Sequence, residues 1–454
     1  MTIAERYGEW SNGTGISDIS QDMLERTKLH ILDQIGAQVS CRNMPTVKLA
    51  YDYARKYARE GKAHLVGTAD RYDAEFAGFA NGTAGSAFEI DDYGGNGAYS
   101  HPGCTVVPAA IALAEERGYT GADVLRGAAL GFETVIRLSR ASMPSMFLGR
   151  GFHHTSVLGV IGVAVTGGAM GRYTGEVVSN AISLAASQAA GTTEYSQSGG
   201  EVKRCHAGMA VAGGIRALRL AEAGLTAPPT ILEGKRGFLQ AYCDDYDETK
   251  LLDELGQRWF FLEHGAIKPY AACGLFHHHF AAYDDLLKTH GFAPEDIEQV
   301  ELGCEPLMIV HNGAHGPEPK DIVGAQFSSK YSMAMRMVLG QNDVGAYLDM
   351  QDQKFSNPEI LALARRISTK EVKEFGEFPP RGSVSVTLTD GRSFEAVGYA
   401  LGSPENPLGA ADIQEKYLQL VSRECGDDLA RRSMEMILRL EDVTDLSEIT
   451  RLFA

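Results

Sequence analysis

Apolar positions recur at helical spacing through most of the first 265 residues. In "SQDMLERTKLHILDQIGAQVS" (20–40), Met23, Leu24, Ile31, Leu32 and Ile35 share one side of a helix, and Ser20 stands where an N-cap belongs. "PAAIALAEERG" (108–118) opens on proline and closes on glycine, the usual polarity of helix ends. "TGADVLRGAALGFETVIRLSRAS" (120–142) continues the pattern. "TSVLGVIGVAVTGGAMG" (155–171) and "TGEVVSNAISLAASQAAG" (174–191) are rich in Ala, Gly and Ser. Small side chains let helix axes approach closely, so these two predict the centre of a packed helical domain. No strand–helix alternation occurs here, which argues against a doubly wound nucleotide-binding sheet.

The pattern changes after Gly265. "IEQVELGCEPLMIV" (297–310) predicts a strand, and "SVSVTLTDGRSFEAVGYAL" (383–401) alternates about a central Asp-Gly, the signature of a β-hairpin. "SSKYSMAMRMVLG" between them predicts a helix. Beyond the Pro/Gly-rich "GSPENPLG" (402–409), helical periodicity returns. The expected architecture is mainly α: a large helical domain from 1–265 and 408–454, interrupted by a smaller α+β lid domain over 266–407. No short repeat or low-complexity tract breaks it.

Composition narrows the function classes. The chain has 454 residues, long enough for a large core and more than one domain, and a formal net charge of −17. That charge argues against nucleic acid or an anionic membrane as partner. An anionic ligand would need a local group of cations inside an acidic protein. Seven scattered cysteines, with no CxxC or zinc spacing, indicate reduced thiols rather than a disulfide framework or structural zinc. The N-terminus lacks a secretory pattern, and the longest apolar run (156–171) is too short and glycine-rich to span a bilayer, so a cytoplasmic protein is expected.

Four segments combine polar residues with glycine beyond what a core requires. "EIDDYGGNGAYSHPG" (89–103) offers Glu89, Asp91, Asp92, Tyr93 and His101. The alternating ligand order of an EF-hand is missing, as are the lysine of a P-loop and the spacing of a dinucleotide loop. "RGFHHTSVLG" puts His153 and His154 before a helix whose first turn Thr155 or Ser156 would cap, a natural anion site. "SGGEVKRCHAG" clusters Lys203, Arg204 and His206. "KPYAACGLFHHHF" supplies Lys268 and His277, His278 and His279, whose side chains diverge on a helix and so cannot all bind one metal. Each segment alone also fits a solvated turn or helix end, and Cys273 fits a buried structural thiol. Together they supply what a small polycarboxylate needs: cations for its charge, and groups that move protons near neutral pH.

These segments resemble the MmgE/PrpD family, which includes 2-methylcitrate dehydratase, cis-aconitate decarboxylase and iminodisuccinate epimerase. The likeness runs through "FANGTAGSAFEIDDY", "HPGCTVVPAAIALAE", "GFHHTSVLG", "AISLAASQAAGTTEY", "KRCHAGMAVAGG", "KPYAACGLFHH" and "GSPENPLGAADIQEKY". The resemblance implies a helical domain with a lid, a homodimer, and catalysis of a small anionic carboxylate without metal or organic cofactor. It implies catalytic roles for Asp92, Tyr93, His101, His153, Lys203 and His277, and substrate binding by Glu89, Asp91, Arg204, His206 and Lys268. Tyr93 and Gly94 stand where many members carry Thr, often followed by His, and Glu89 replaces the Asp of the decarboxylase pattern. The first expectation is therefore a lyase that dehydrates a β-hydroxy acid, as in 2-methylcitrate dehydratase. The alternatives are a dicarboxylate epimerase, a cis-aconitate-type decarboxylase, or a non-catalytic ligand-binding member.

Overall fold

Ser20 caps the helix Gln21–Cys41, its hydroxyl accepting from the Met23 N–H. Thr120 and Thr174 do the same for Gly121–Ser142 and Gly175–Ser187. The computed structural model describes residues 1–312, 315–375 and 381–454. Every residue of the helix His154–Met170 is buried, as expected of a segment apolar on all sides. It packs against Gly103–Arg117, Gly121–Ser142, Gly175–Ser187 and Val202–Glu222. A Cβ at Gly159 would lie 2.7 Å from Thr105 Cγ2, so glycine is what permits that helix crossing.

Three local expectations change. The helix expected from Pro108 begins at Gly103, with Pro108 inside it. Its start is set by Asp92, whose Oδ1 accepts from Gly103 N–H at 2.8 Å. A Cβ at Gly103 would sit 2.6 Å from that oxygen, which accounts for the glycine of His-Pro-Gly. The central helix takes His153, rather than Thr155 or Ser156, as its N-cap position, with no side-chain cap. The strand expected over 297–310 stops at Cys304, and a helix Pro306–Asn312 follows. Proline lacks the N–H a ladder needs and suits a helix's first turn.

The protein is mainly α. Its largest sheet has four strands in the order Ile367–Glu371, Ile297–Cys304, Arg381–Leu388, Ser393–Tyr399, the first pair parallel and the others antiparallel. The last two form the expected hairpin, with Gly391 at φ +87° in its turn. Helix His277–His290 covers this hairpin, and Ala410–Cys425 returns to pack on Gln21–Cys41. Among the described residues, two short strand pairs lie outside the sheet. One of them, Asp92–Gly94 with Gly265–Ile267, ties the acidic loop to the segment carrying Lys268. Gln326 strengthens the join, its Nε2 donating to the carbonyls of Phe88 and Ala271, both at 2.9 Å.

Candidate active site

The acidic loop lies between a helix end (Ala74–Gly85) and a short strand, and its backbone turns sharply. Glu89 has φ +56°, a conformation that costs an L-residue roughly 1–2 kcal/mol. Two lysines hold it there. Lys203 Nζ contacts Glu89 Oε1, and Lys268 Nζ lies 3.4 Å from Oε2. Lys268 also donates to Asp91 Oδ1 at 3.0 Å, while Asp91 Oδ2 faces His101 Nδ1 at 3.2 Å. Burial alone would raise the Asp91 carboxyl; Lys268 and His101 overcome it and hold Asp91 well below the usual carboxylate range. His101 Nδ1 also reaches the Asp92 carbonyl at 2.7 Å. Both its neighbours are acceptors, so Nδ1 carries the proton and Nε2 is left to act on a ligand.

Glu89, His101, Lys203 and Lys268 of this group line a cavity. Glu89, Tyr93, His101, His153, Lys203 and Lys268 are brought together on its wall. His153 Nδ1 lies 2.9 Å from His206 Nδ1, so His206 stands behind His153 rather than at the cavity. Burial, with His206 and His101 adding to it, pushes His153 well below the ordinary histidine range. His206 is lowered to about 4 by burial and Lys203. Burial and the Lys268 charge press Lys203 toward its neutral form; the Glu89 carboxylate in contact opposes this. The Phe327 ring lies 5.0 Å beneath its ammonium.

Asp91, Asp92, Arg204 and His277 do not reach the cavity wall; Asp91 stands behind it, its two oxygens taken by Lys268 and His101. Asp92 is fully buried with both oxygens engaged, Oδ2 with His30 Nδ1 at 3.0 Å and Oδ1 with Gly103 N–H. Adjacent strand residues face opposite ways, so Tyr93 enters the cavity and Asp92 the helical core. Arg204 points away from Lys203 toward Glu201 and Thr46, since helix neighbours diverge by about 100°. His277 Nε2 is spent on the Ala272 carbonyl at 3.0 Å, its ring packed against Tyr270 and Phe280.

Other wall residues were not singled out by sequence: Tyr195, His311, Phe147 and Phe327. His311, on the helix after Cys304, is pushed down to about 3 by burial and by Lys203. The aromatic residues carry no local signal, because any core contains them. His154 and Thr155, from a segment that was singled out, also face the cavity. His154 Nδ1 bonds the Tyr99 carbonyl at 2.7 Å, and burial lowers its pKa to about 4. At this helix end the backbone N–H groups of His154 and Thr155, two residues that line the cavity, precede the first intrahelical bonds and carry partial positive charge. Among the described residues, no group of three His, Cys, Asp or Glu side chains is placed to hold a metal ion, and all seven cysteines are free.

Fold and site together define a mainly α protein whose cavity joins buried lysine–carboxylate pairs to imidazoles held neutral. The MmgE/PrpD N-terminal domain matches residues 5–250 and the MmgE/PrpD C-terminal domain residues 270–442, so the chain belongs to the MmgE/PrpD family. Across 99% of its length it is 29% identical to a cis-aconitate decarboxylase of Aspergillus terreus, covering 95% of that protein. It is 25% identical to a cis-aconitate decarboxylase-like protein of Aspergillus oryzae, over 98% of this chain and 96% of the other. It is 24% identical to the cis-aconitate decarboxylase of Homo sapiens, over 99% of this chain and 94% of the other.

Proposed function

We propose that this protein is a lyase that decarboxylates a small unsaturated tricarboxylate of the cis-aconitate type, using its own side chains. The observation that carries this is the cavity itself, where Lys203 and Lys268 are set against neutral imidazoles and a helix N-terminus. Full-length similarity to cis-aconitate decarboxylases moves this alternative ahead of the dehydration first expected. Tyr93 and Glu89 in place of the commoner Thr and Asp then belong to substrate fit rather than to a change of reaction.

The substrate carboxylates are received by Lys203, Lys268 and the N–H groups at His154 and Thr155. Among the described residues Lys203 has one carboxylate partner, Glu89, and an ammonium has three protons to give. When the C–CO2 bond breaks, its electron pair stays on carbon and spreads into a neighbouring carboxylate. The two lysines stabilise that enolate-like charge, which they meet without reorganising because Glu89 and Asp91 already fix them. His101, oriented by Asp91 and the Asp92 carbonyl, and His153, oriented by His206, are the candidates to protonate carbon. The homodimer implied by the family has a candidate face where Leu49, Tyr53, Met209 and Val202 are exposed on adjoining helices.

The test is to incubate the protein in D2O with cis-aconitate, citrate, 2-methylcitrate and iminodisuccinate, following each by NMR. The expected outcome is loss of CO2 from cis-aconitate with one deuterium entering the product. An unsaturated product from a hydroxy acid, with cis-aconitate untouched, would restore the dehydratase reading. Solvent deuterium in an otherwise unchanged substrate would point to an epimerase.

A further inference from the structure

Behind Tyr93 and Tyr99 lies a second, much smaller chamber, with room for about one water, that shares these two residues, with Gly274 and Leu275, as a common wall with the substrate cavity. Its polar groups have no role in the chemistry above. Glu305, at the turn between the strand Ile297–Cys304 and the helix Pro306–Asn312, is 0% exposed, and among the described residues neither carboxyl oxygen has a hydrogen-bond partner beyond its own backbone N–H. His278 is 3% exposed, and its unpartnered Nε2 lies 3.7 Å from Glu305 Oε2. The Ser403 hydroxyl, also buried and unpartnered, faces the same space. Asn96, which is exposed, also lines it.

A buried polar group without a partner costs on the order of 1–3 kcal/mol. Three such groups around one chamber, next to a reaction cavity, would not persist as packing alone, because apolar side chains of similar volume would be more stable. We infer that this chamber is a proton-delivery annex: Glu305 and His278 take protons from solvent beside Asn96 and pass them across the Tyr93–Tyr99 partition to the substrate cavity. The inference rests on the decarboxylase reading. There, the bond to the departing carboxylate breaks, CO2 leaves, and carbon forms a new C–H bond with a proton from an acid in the cavity. That acid is reloaded by the proton of Glu305, and Glu305 by solvent, so each turnover consumes one proton.

The cavity needs such a supply. Its own His153, His154 and His311 are pushed below the ordinary histidine range by burial and hold no proton at neutral pH when the site is empty. Burial raises the Glu305 carboxyl to about 8, so it carries a proton where the imidazoles do not. The groups that face it are His278 from the helix His277–His290, Tyr99 from the glycine-rich loop and the adjoining Cys304. Among the described residues no lysine or arginine pairs with it. Burial and His279 and His277 push His278 well down, so it relays a proton without retaining it.

Glu305→Gln keeps the size and removes the titratable proton; His278→Phe removes the partner. With cis-aconitate, each variant should keep the wild-type KM and lose roughly tenfold to a hundredfold in kcat, within the range of acid–base assistance. The loss should deepen as pH rises toward 8 and narrow above it, where Glu305 in the wild type gives up its own proton, and the solvent deuterium isotope effect should increase. Wild-type kcat, pH profile and isotope effect in both folded variants would overturn the annex. An infrared measurement separates this from the decarboxylase reading, since it needs no turnover. The wild type at neutral pH should show the carbonyl band of a buried protonated carboxyl that shifts in D2O and vanishes in Glu305→Gln. Absence of that band overturns the inference whatever the substrate; its presence in a protein that does not decarboxylate cis-aconitate would leave the proton store and remove only the reaction assigned to it.

Discussion

Lys268 is the residue on which the site's charge balance turns. It is fully buried and stands between Glu89 and Asp91, two carboxylates that would otherwise face one another. Removing one partner of a buried ion pair typically costs ~3–5 kcal/mol. Lys268→Met should therefore lower the urea midpoint clearly and reduce turnover by at least about a hundredfold, as loss of a preorganised charge donor does. A variant with unaltered stability would show that Glu89 and Asp91 do not need this cation. The neutral imidazoles give a second expectation. His153 and His154 lie low because they are buried without anions beside them, and a bound polycarboxylate favours their charged forms. Binding of an unreactive tricarboxylate should take up protons, more so as pH falls below 7. Calorimetry in buffers of different ionisation heat measures that number directly, and zero uptake would exclude these histidines from substrate contact.

At the scale of elements, the acidic loop is held from behind by a helix nearly 330 residues further along the chain. Lys416, on Ala410–Cys425, donates to Asp33 Oδ1 at 2.5 Å and to the Ile90 carbonyl at 2.7 Å. It thus fixes the peptide between Glu89 and Asp91 against the helix Gln21–Cys41. The Asp33 carboxyl is raised to about 6, burial outweighing Lys416. Lys416→Met leaves Asp33 buried without its cation, and should destabilise more than the double variant Asp33→Asn/Lys416→Met, which removes both charges. Thermal melting of the two variants decides it; equal melting temperatures would mean the pair is not coupled. The same reasoning explains the partial legibility of these elements. Helix Gln21–Cys41 and the 383–401 hairpin were readable because apolar period and turn chemistry act locally. The start of the helix at Gly103 was not, because its cap, Asp92, comes from eleven residues earlier across a folded loop.

For the whole molecule, the buried histidines impose a pH dependence. Burial lowers His154 and His279 to about 4, and His277 and His311 to about 3. In the unfolded chain they titrate near 6.5, roughly. Below that value the unfolded state binds more protons than the folded one, so stability is full above about pH 6.5 and is lost as pH falls toward 4. Denaturant midpoints measured from pH 8 to 4 should show that decline, and a flat profile would contradict the burial of these rings. A second expectation concerns assembly. Leu49 and Met209 are 66% and 49% exposed on one apolar face, where a homodimer would bury them. Met209→Glu should weaken that dimer by about 2 kcal/mol, roughly thirtyfold, the threshold of an interface hot spot. Sedimentation velocity would report it, and a dimer unaffected by the charge would place the interface elsewhere. No helix among the described residues is long and apolar enough to cross a membrane.

The amino-acid sequence by itself determined the mainly α class, the positions of the long helices and the hairpin, the four polar segments and the family. These follow from periodicity, turn chemistry and residue type, all carried within short windows. Only the tertiary structure decided which member of each adjacent pair faces the cavity. Tyr93 and Lys203 turn toward it while Asp92 and Arg204 turn away, and His278 turns to the annex while His277 is spent on a backbone carbonyl. Neighbours on a strand or helix point apart, and which one meets the cavity depends on how the element is rotated against partners hundreds of residues distant. The aromatic wall of Phe147, Tyr195 and Phe327, and the burial of Glu305 beside His278, exist only through that packing.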